Sequence, residues 1–203
     1  EATTSSFSPV ITTSSSTSSG FTAREEREYW KRRLGERWHP GAPWPDFEVT
    51  LTSSAFSVLH YRFAAELSSQ LWRLSNSSAF LYYTILLAGL KLTLWRYTGQ
   101  LRLAVGAPSL RQWGRENALV IADELAPQGT FRQVLTQVRE TLLAAYARPR
   151  YPIRRLLKEL KLKASAAAPC PLFAVAARLE ELHLEMPEVG QSIEVSFARA
   201  GAE

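Results

Sequence analysis

Three histidines are the side chains best suited to moving a proton near neutral pH, namely His39, His60 and His183. No second histidine lies two to five positions from any of them, so zinc-ligand spacing is absent. His183 has Glu181 and Glu185 nearby on a polar run, but no nucleophile stands at triad spacing. All three are therefore expected to be surface or core-edge histidines. Cys170 sits between Pro169 and Pro171 with no base beside it, which suits a buried structural thiol better than a nucleophile. No G-x-S-x-G, G-x-x-x-x-G-K-[ST] or G-x-G-x-x-G occurs. Residue types and spacing thus name no catalytic residue and no metal ligand.

The strongest charge feature is a basic run, Arg148, Arg150, Arg154, Arg155, Lys158, Lys161 and Lys163, opposed only by Glu159. Two readings stay open. One is a solvated helix face with Leu156, Leu157 and Leu160 turned inward. The other is an anion-binding module in which Arg148, Arg154, Arg155 and Lys158 meet phosphate groups of a partner. Aromatic platforms are not interleaved with the charges, which argues against nucleic acid. The net charge of +5 permits anionic partners without requiring them.

These residues need elements to hold them. At 203 residues, 46% apolar and 21% charged, the composition is that of a globular domain with a real core. Residues 1–21 are dominated by Ser and Thr and are expected to form a disordered linker, with a short edge strand at Pro9–Thr13 as the alternative. Residues 22–203 are expected to form the domain. The first residue is Glu, no signal peptide is visible, and the chain reads as cut from something longer. With a single cysteine, the default compartment is the cytoplasm.

Thr22 with Glu25 forms a capping-box pattern for a helix running to Leu34, which Gly35 stops. Residues 38–46 are Pro- and Gly-rich and must turn or extend. Phe56–Phe63 is rich in aromatic and branched residues and predicts a strand, and Glu66–Leu74 predicts a short helix. Ala79–Trp95 carries one charge, Lys91, and predicts a long buried helix capped from within Asn76–Ser78 and stopped at Gly99. A membrane span fits poorly, because Lys91 would cost about 2.5–3.5 kcal/mol near a bilayer centre. Leu101–Ala107, Ala118–Leu125, Leu172–Leu179 and Ile193–Phe197 read as strands. Thr130 caps a helix with the stripe Phe131, Val134, Leu135, Val138, Leu142, Ala145 and Tyr146, and Pro152 begins another. Residues 164–170 form an Ala-rich loop. Strands alternating with helices predict an α/β (α+β) domain, a mixed sheet flanked by helices.

Several motifs, in this order, resemble the condensation domain of nonribosomal peptide synthetases, within the chloramphenicol-acetyltransferase-like superfamily. They are Tyr29-Trp30 with Leu34, Leu94-Trp95-Arg96-Tyr97-Thr98-Gly99-Gln100, and Val105-Gly106-Ala107-Pro108. Asn117 with Leu119, Ala145–Ile153 and Pro171-Leu172-Phe173 follow. The resemblance covers residues 22–180. It implies one half of a two-lobed fold and a parent activity of amide-bond formation between carrier-bound acyl groups. By alignment it implies that Arg111, Asn117 and Arg150 line the tunnel between the lobes. The family's catalytic His-His-x-x-x-Asp-Gly has no copy in this sequence. Its Gly-x-Phe-Val before the Asn is missing, and Ala122 stands where the family has Arg. Arg148-Pro149-Arg150 replaces its His-Gln-Asp.

What the resemblance implies is a partial condensation-like domain that is not catalytic alone. It would bind no cofactor directly. It would face a carrier protein, with its phosphopantetheine arm, or an adenylation domain. The alternatives are half of a split acyltransferase, completed by an N-terminal condensation half on another chain, and the anion-binding module. No membrane and no nucleic acid are expected as partners.

Overall fold

The computed structural model describes residues 20–35, 38, 40, 57–126, 128–163 and 170–199. Nearly all of the expected linker, the turn segment 38–46 apart from Trp38 and Pro40, and residues 164–169 lie outside them.

Five α-helices and four strands follow one another in runs along the described residues, as α1 (Ala23–Leu34), α2 (Ala65–Leu74), α3 (Ala79–Thr98), β1 (Arg102–Pro108), β2 (Ala118–Glu124), α4 (Phe131–Tyr146), α5 (Ile153–Glu159), β3 (Val175–Leu179) and β4 (Ile193–Phe197). The sheet order is β2-β1-β3-β4. β1 and β2 run antiparallel, with Arg102 opposite Glu124 and Pro108 opposite Ala118. β3 runs parallel to both β1 and β4, so the sheet is mixed as the sequence predicts.

The termini of the helices follow from side-chain chemistry. Thr22 and Thr130 each close a reciprocal capping box, with Glu25 and Gln133 respectively. Ser78 caps α3, and Gly99 ends it in the left-handed region at φ 69°, where a Cβ would be strained. α3 is the central core helix. Tyr83, Leu87 and Ala88 are fully buried, and so is Lys91. No single helix among the described residues is long and apolar enough to cross a membrane; α2 and α3 pass such a test only as a pair bent by 116°.

Lys91 can sit in this core because the sheet supplies its partners. Its ammonium lies 2.9 Å from Asp123 Oδ2 and donates to the carbonyls of Ile121 and Leu103. Thr141 of α4 donates to the other Asp123 oxygen. Burial pulls the Lys91 pKa down and Asp123 opposes that pull. One ion pair thus fastens α3, β1, β2 and α4 together.

The predicted strand Phe56–Phe63 does not form within 57–63. Those residues have no regular secondary structure and are exposed; Leu59 is 95% and Tyr61 87% accessible. Aromatic and branched residues favour a pleated surface, but a strand exists only where a neighbour takes its hydrogen bonds. None of the described strands does so for 57–63. β3 also begins at Val175, three residues after the predicted Leu172, although Leu172, Phe173 and Ala174 are buried.

Candidate functional site

His183 departs from the expected surface or core-edge position. It is fully buried. The connection from β3 to β4 carries it alongside the chain just beyond β1, where it bridges Leu110, while Arg111 N–H donates to Leu182 O and Leu184 N–H to Ser109 O. Nδ1 accepts the backbone N–H of Leu179 at 3.0 Å. Nε2 faces the Tyr146 hydroxyl, so both ring nitrogens have a partner in either neutral tautomer. Tyr83 packs edge-on against the imidazole at 4.4 Å between ring centres and donates its hydroxyl to Ala177 O. Burial lowers the His183 pKa to about 4, against the smaller upward pull of the Leu179 carbonyl, which lies 3.2 Å from Nδ1. Burial also raises both tyrosines above their ordinary value. The cluster is a closed, neutral polar network inside the core. His60 stands on the exposed segment 57–63, and His39 lies outside the described residues. Cys170 is buried, which raises its thiol pKa, in keeping with a structural thiol.

Of the three residues expected to line a tunnel, Arg111 and Asn117 stand in the β1–β2 connection and Arg150 stands between α4 and α5. Asn117 is buried, and its side chain is consumed by the chain's own backbone. Its amide donates to Pro149 O at 2.9 Å and Tyr151 O at 3.0 Å, and its oxygen accepts Ile153 N–H at 3.2 Å. Asn117 therefore pins the segment between α4 and α5. Arg150 follows on that segment, where its backbone N–H and that of Tyr151 both donate to Glu26 of α1 at 2.9 Å. Glu26 is fully buried, a role its place among the charges of α1 concealed. Arg111 is exposed on a short 3-10 turn, Arg111–Trp113, and its Nε donates to Glu180 O at 2.7 Å.

The basic run is partly committed to internal contacts. Arg148 lies between the rings of Phe21 and Tyr29, 4.0 and 4.2 Å from their centroids, and donates to Ala144 O. Arg155 approaches Glu159 at 3.4 Å, and Arg27 holds the same carboxylate at 2.7 Å. Hydrogen bonds, above all from Arg27, lower the Glu159 pKa to about 2. Arg154 donates to Glu188 O at 3.2 Å, while Lys158, Lys161 and Lys163 are exposed. As expected for α5, Leu156 is buried and Leu157 and Leu160 are partly buried. No group of three or more His, Cys, Asp or Glu able to hold a metal occurs among the described residues.

No protein-family model matches the chain. Among curated proteins it is similar to two different linear gramicidin synthase polypeptides of Brevibacillus parabrevis, 31% identical to one over 172 residues and 30% identical to the other over 174 residues. These alignments take in 79% and 81% of the chain and 3% of each relative, so the chain spans a small fraction of the relatives it matches. Among solved structures, a four-domain nonribosomal peptide synthetase bound to AMP and glycine superposes with a TM-score of 0.62 at 20% identity, over 75% of the chain and 12% of that structure. The starter condensation domain of rhizomide synthetase, in complex with C8-CoA, superposes with a TM-score of 0.60 at 16% identity, over 89% of the chain and 44% of that structure. The mixed sheet with its flanking helices is thus the fold of one portion of such domains. In sequence and fold, the chain is homologous to part of the condensation domain of nonribosomal peptide synthetases.

Proposed function

We propose that this segment is the scaffold portion of a condensation-type acyltransferase and supplies no general base of its own. The observation that carries the reading is the state of His183. Its ring is buried, and both ring nitrogens already face partners, Leu179 N–H and the Tyr146 hydroxyl. A general base must come within about 2.6–3.2 Å of the proton it removes, and a sealed imidazole cannot. Asn117 is likewise spent on the backbone of 149–153. The role left to the segment is to present a rigid platform to a carrier protein, with its phosphopantetheine arm, or to an adenylation domain, in the cytoplasm.

The purified chain is to be assayed for amide formation from a carrier-bound aminoacyl donor and a carrier-bound acceptor. No turnover is expected, and turnover by this chain alone would overturn the proposal. A second reading, half of a split acyltransferase, draws on the exposed apolar side chains Val58, Leu59 and Tyr61 and on α2, which has no buried residue. Turnover that appears only when a chain bearing His-His-x-x-x-Asp-Gly is added would favour that second reading.

A further inference from the structure

A cleft of about 520 Å³ opens between α1, α4 and the Arg102–Glu124 end of the β1–β2 pair. That is the size of a small-molecule site. Its floor is Thr141, whose hydroxyl donates to the buried Asp123 and accepts from Arg33 Nη2 at 3.3 Å. The cleft therefore reaches the Lys91–Asp123 ion pair through one hydroxyl group.

The charges at that floor do not balance. Lys91 and Arg33 are both cationic there, and Asp123 is the carboxylate between them. Arg33 also adds a downward push on the Lys91 pKa, smaller than the effects of burial and of Asp123. Arg33 Nη2 donates to Ala122 O as well as to Thr141, both uncharged acceptors, while its Nε is shielded from water and has no hydrogen-bond partner. A shielded cationic donor left unmatched is costly. Of the two carboxylates lining the walls, Glu124 is held by Arg102 at 3.5 Å, and Glu140 is exposed at the rim, as is Arg32. The rings of Tyr29 and Trp38 complete the lining, with Trp38 fixed by its indole N–H on Arg33 O at 3.0 Å.

We propose that this cleft binds an anionic group, a carboxylate or a phosphate, carried on an aromatic body. The anion supplies the missing counter-charge to Arg33, with Arg32 assisting at the rim, and the ring packs against Tyr29 and Trp38. Guanidinium groups suit both anions because they donate in a planar fork. The site stands apart from the Asn117 turn and needs no catalysis.

The test titrates phenyl phosphate and phenylacetate into the whole chain, followed by tryptophan fluorescence and calorimetry. Saturable one-to-one binding is expected for at least one of them, weakening severalfold as salt rises from about 50 to about 300 mM. The tighter of the two identifies the anion. Arg32→Gln should weaken binding about three- to tenfold, and Arg33→Lys by more, because it loses the planar fork. Arg154→Gln with Lys158→Gln, on the basic run, should change nothing. Arg32→Gln alters an exposed side chain, so it keeps the test valid should Arg33→Lys unfold the protein. No saturation with either compound up to about 10 mM, a weaker affinity than a specific site of this size should have, would overturn the proposal. Binding unchanged in a folded Arg32→Gln variant, or lost in the basic-run variant, would overturn it as well.

Discussion

The ring of Phe173 lies on the bare backbone of Gly106. A Cβ built on Gly106 would stand 2.7 Å from Phe173 Cδ2 and Cζ. Phe173 is fully buried just before β3, and Gly106 pairs with Ala176 of that strand. The glycine is there because an aromatic ring occupies the space a side chain would take. Gly106→Ala should therefore destabilise the fold by about 1–3 kcal/mol through overpacking. Phe173→Leu in the same chain should recover part of that loss. Denaturant unfolding of the two single variants and the double variant measures it, and additive losses would mean that the two residues do not meet.

That contact shows what the sequence disclosed and what it hid. Val105-Gly106-Ala107-Pro108 and Pro171-Leu172-Phe173 are both visible as motifs, but nothing in their spacing says that the ring of one fills the gap in the other. Local signals were readable for the same reason throughout. Capping boxes at Thr22 and Thr130 and the glycine stop at Gly99 act within one turn of chain. Pairings across the fold were not readable. Lys91 stood out as a lone charge in an apolar helix, and Asp123 sits in an otherwise apolar stretch before Glu124. Their union requires knowing that α3 crosses β2. The burial of His183 is hidden in the sequence because its neighbours Glu181 and Glu185 are polar and exposed, while the bridge to Leu110 and the rings of Tyr83 and Tyr146 enclose the imidazole.

Lys91→Met removes one member of a fully buried pair and leaves Asp123 charged in the core. The loss should be about 3–5 kcal/mol. Lys91→Met with Asp123→Leu should be much less damaging than the sum of the two single changes, because no charge then remains unpaired. Denaturant unfolding of the three variants gives the comparison. Equal losses in the double variant and in the sum would show that each residue acts independently of its partner.

Asn117 makes three hydrogen bonds to the backbone of 149–153, whereas Arg111 and Arg150 are exposed. Asn117→Ala should cost about 1–3 kcal/mol by orphaning buried backbone groups. Surface truncations Arg111→Ala and Arg150→Ala should stay within about 0.5–1 kcal/mol. Thermal melts of the three variants give the comparison. A loss at Arg150 as large as that at Asn117 would assign the arginine side chain a packing role of its own.

His183 sets a pH dependence whose sign follows from its burial. In the unfolded chain its imidazole takes a proton near the ordinary value of 6.5, and in the folded chain only near 4. Between those values the unfolded state holds more protons, so stability falls as pH falls. The contribution is fully present above about pH 6.5 and fades towards pH 4, reaching about 3 kcal/mol at most. Carboxylates also titrate at the lower end, so the measurement is the difference between the wild-type chain and His183→Gln. Urea unfolding at half-unit steps from pH 7.5 to about 4.5 spans most of the window. The wild-type curve should slope downward on acidification below pH 6.5 more steeply than that of the variant. Parallel curves would mean that the imidazole reaches water, and the closed Tyr83–Tyr146–His183 cluster would then have to open in solution.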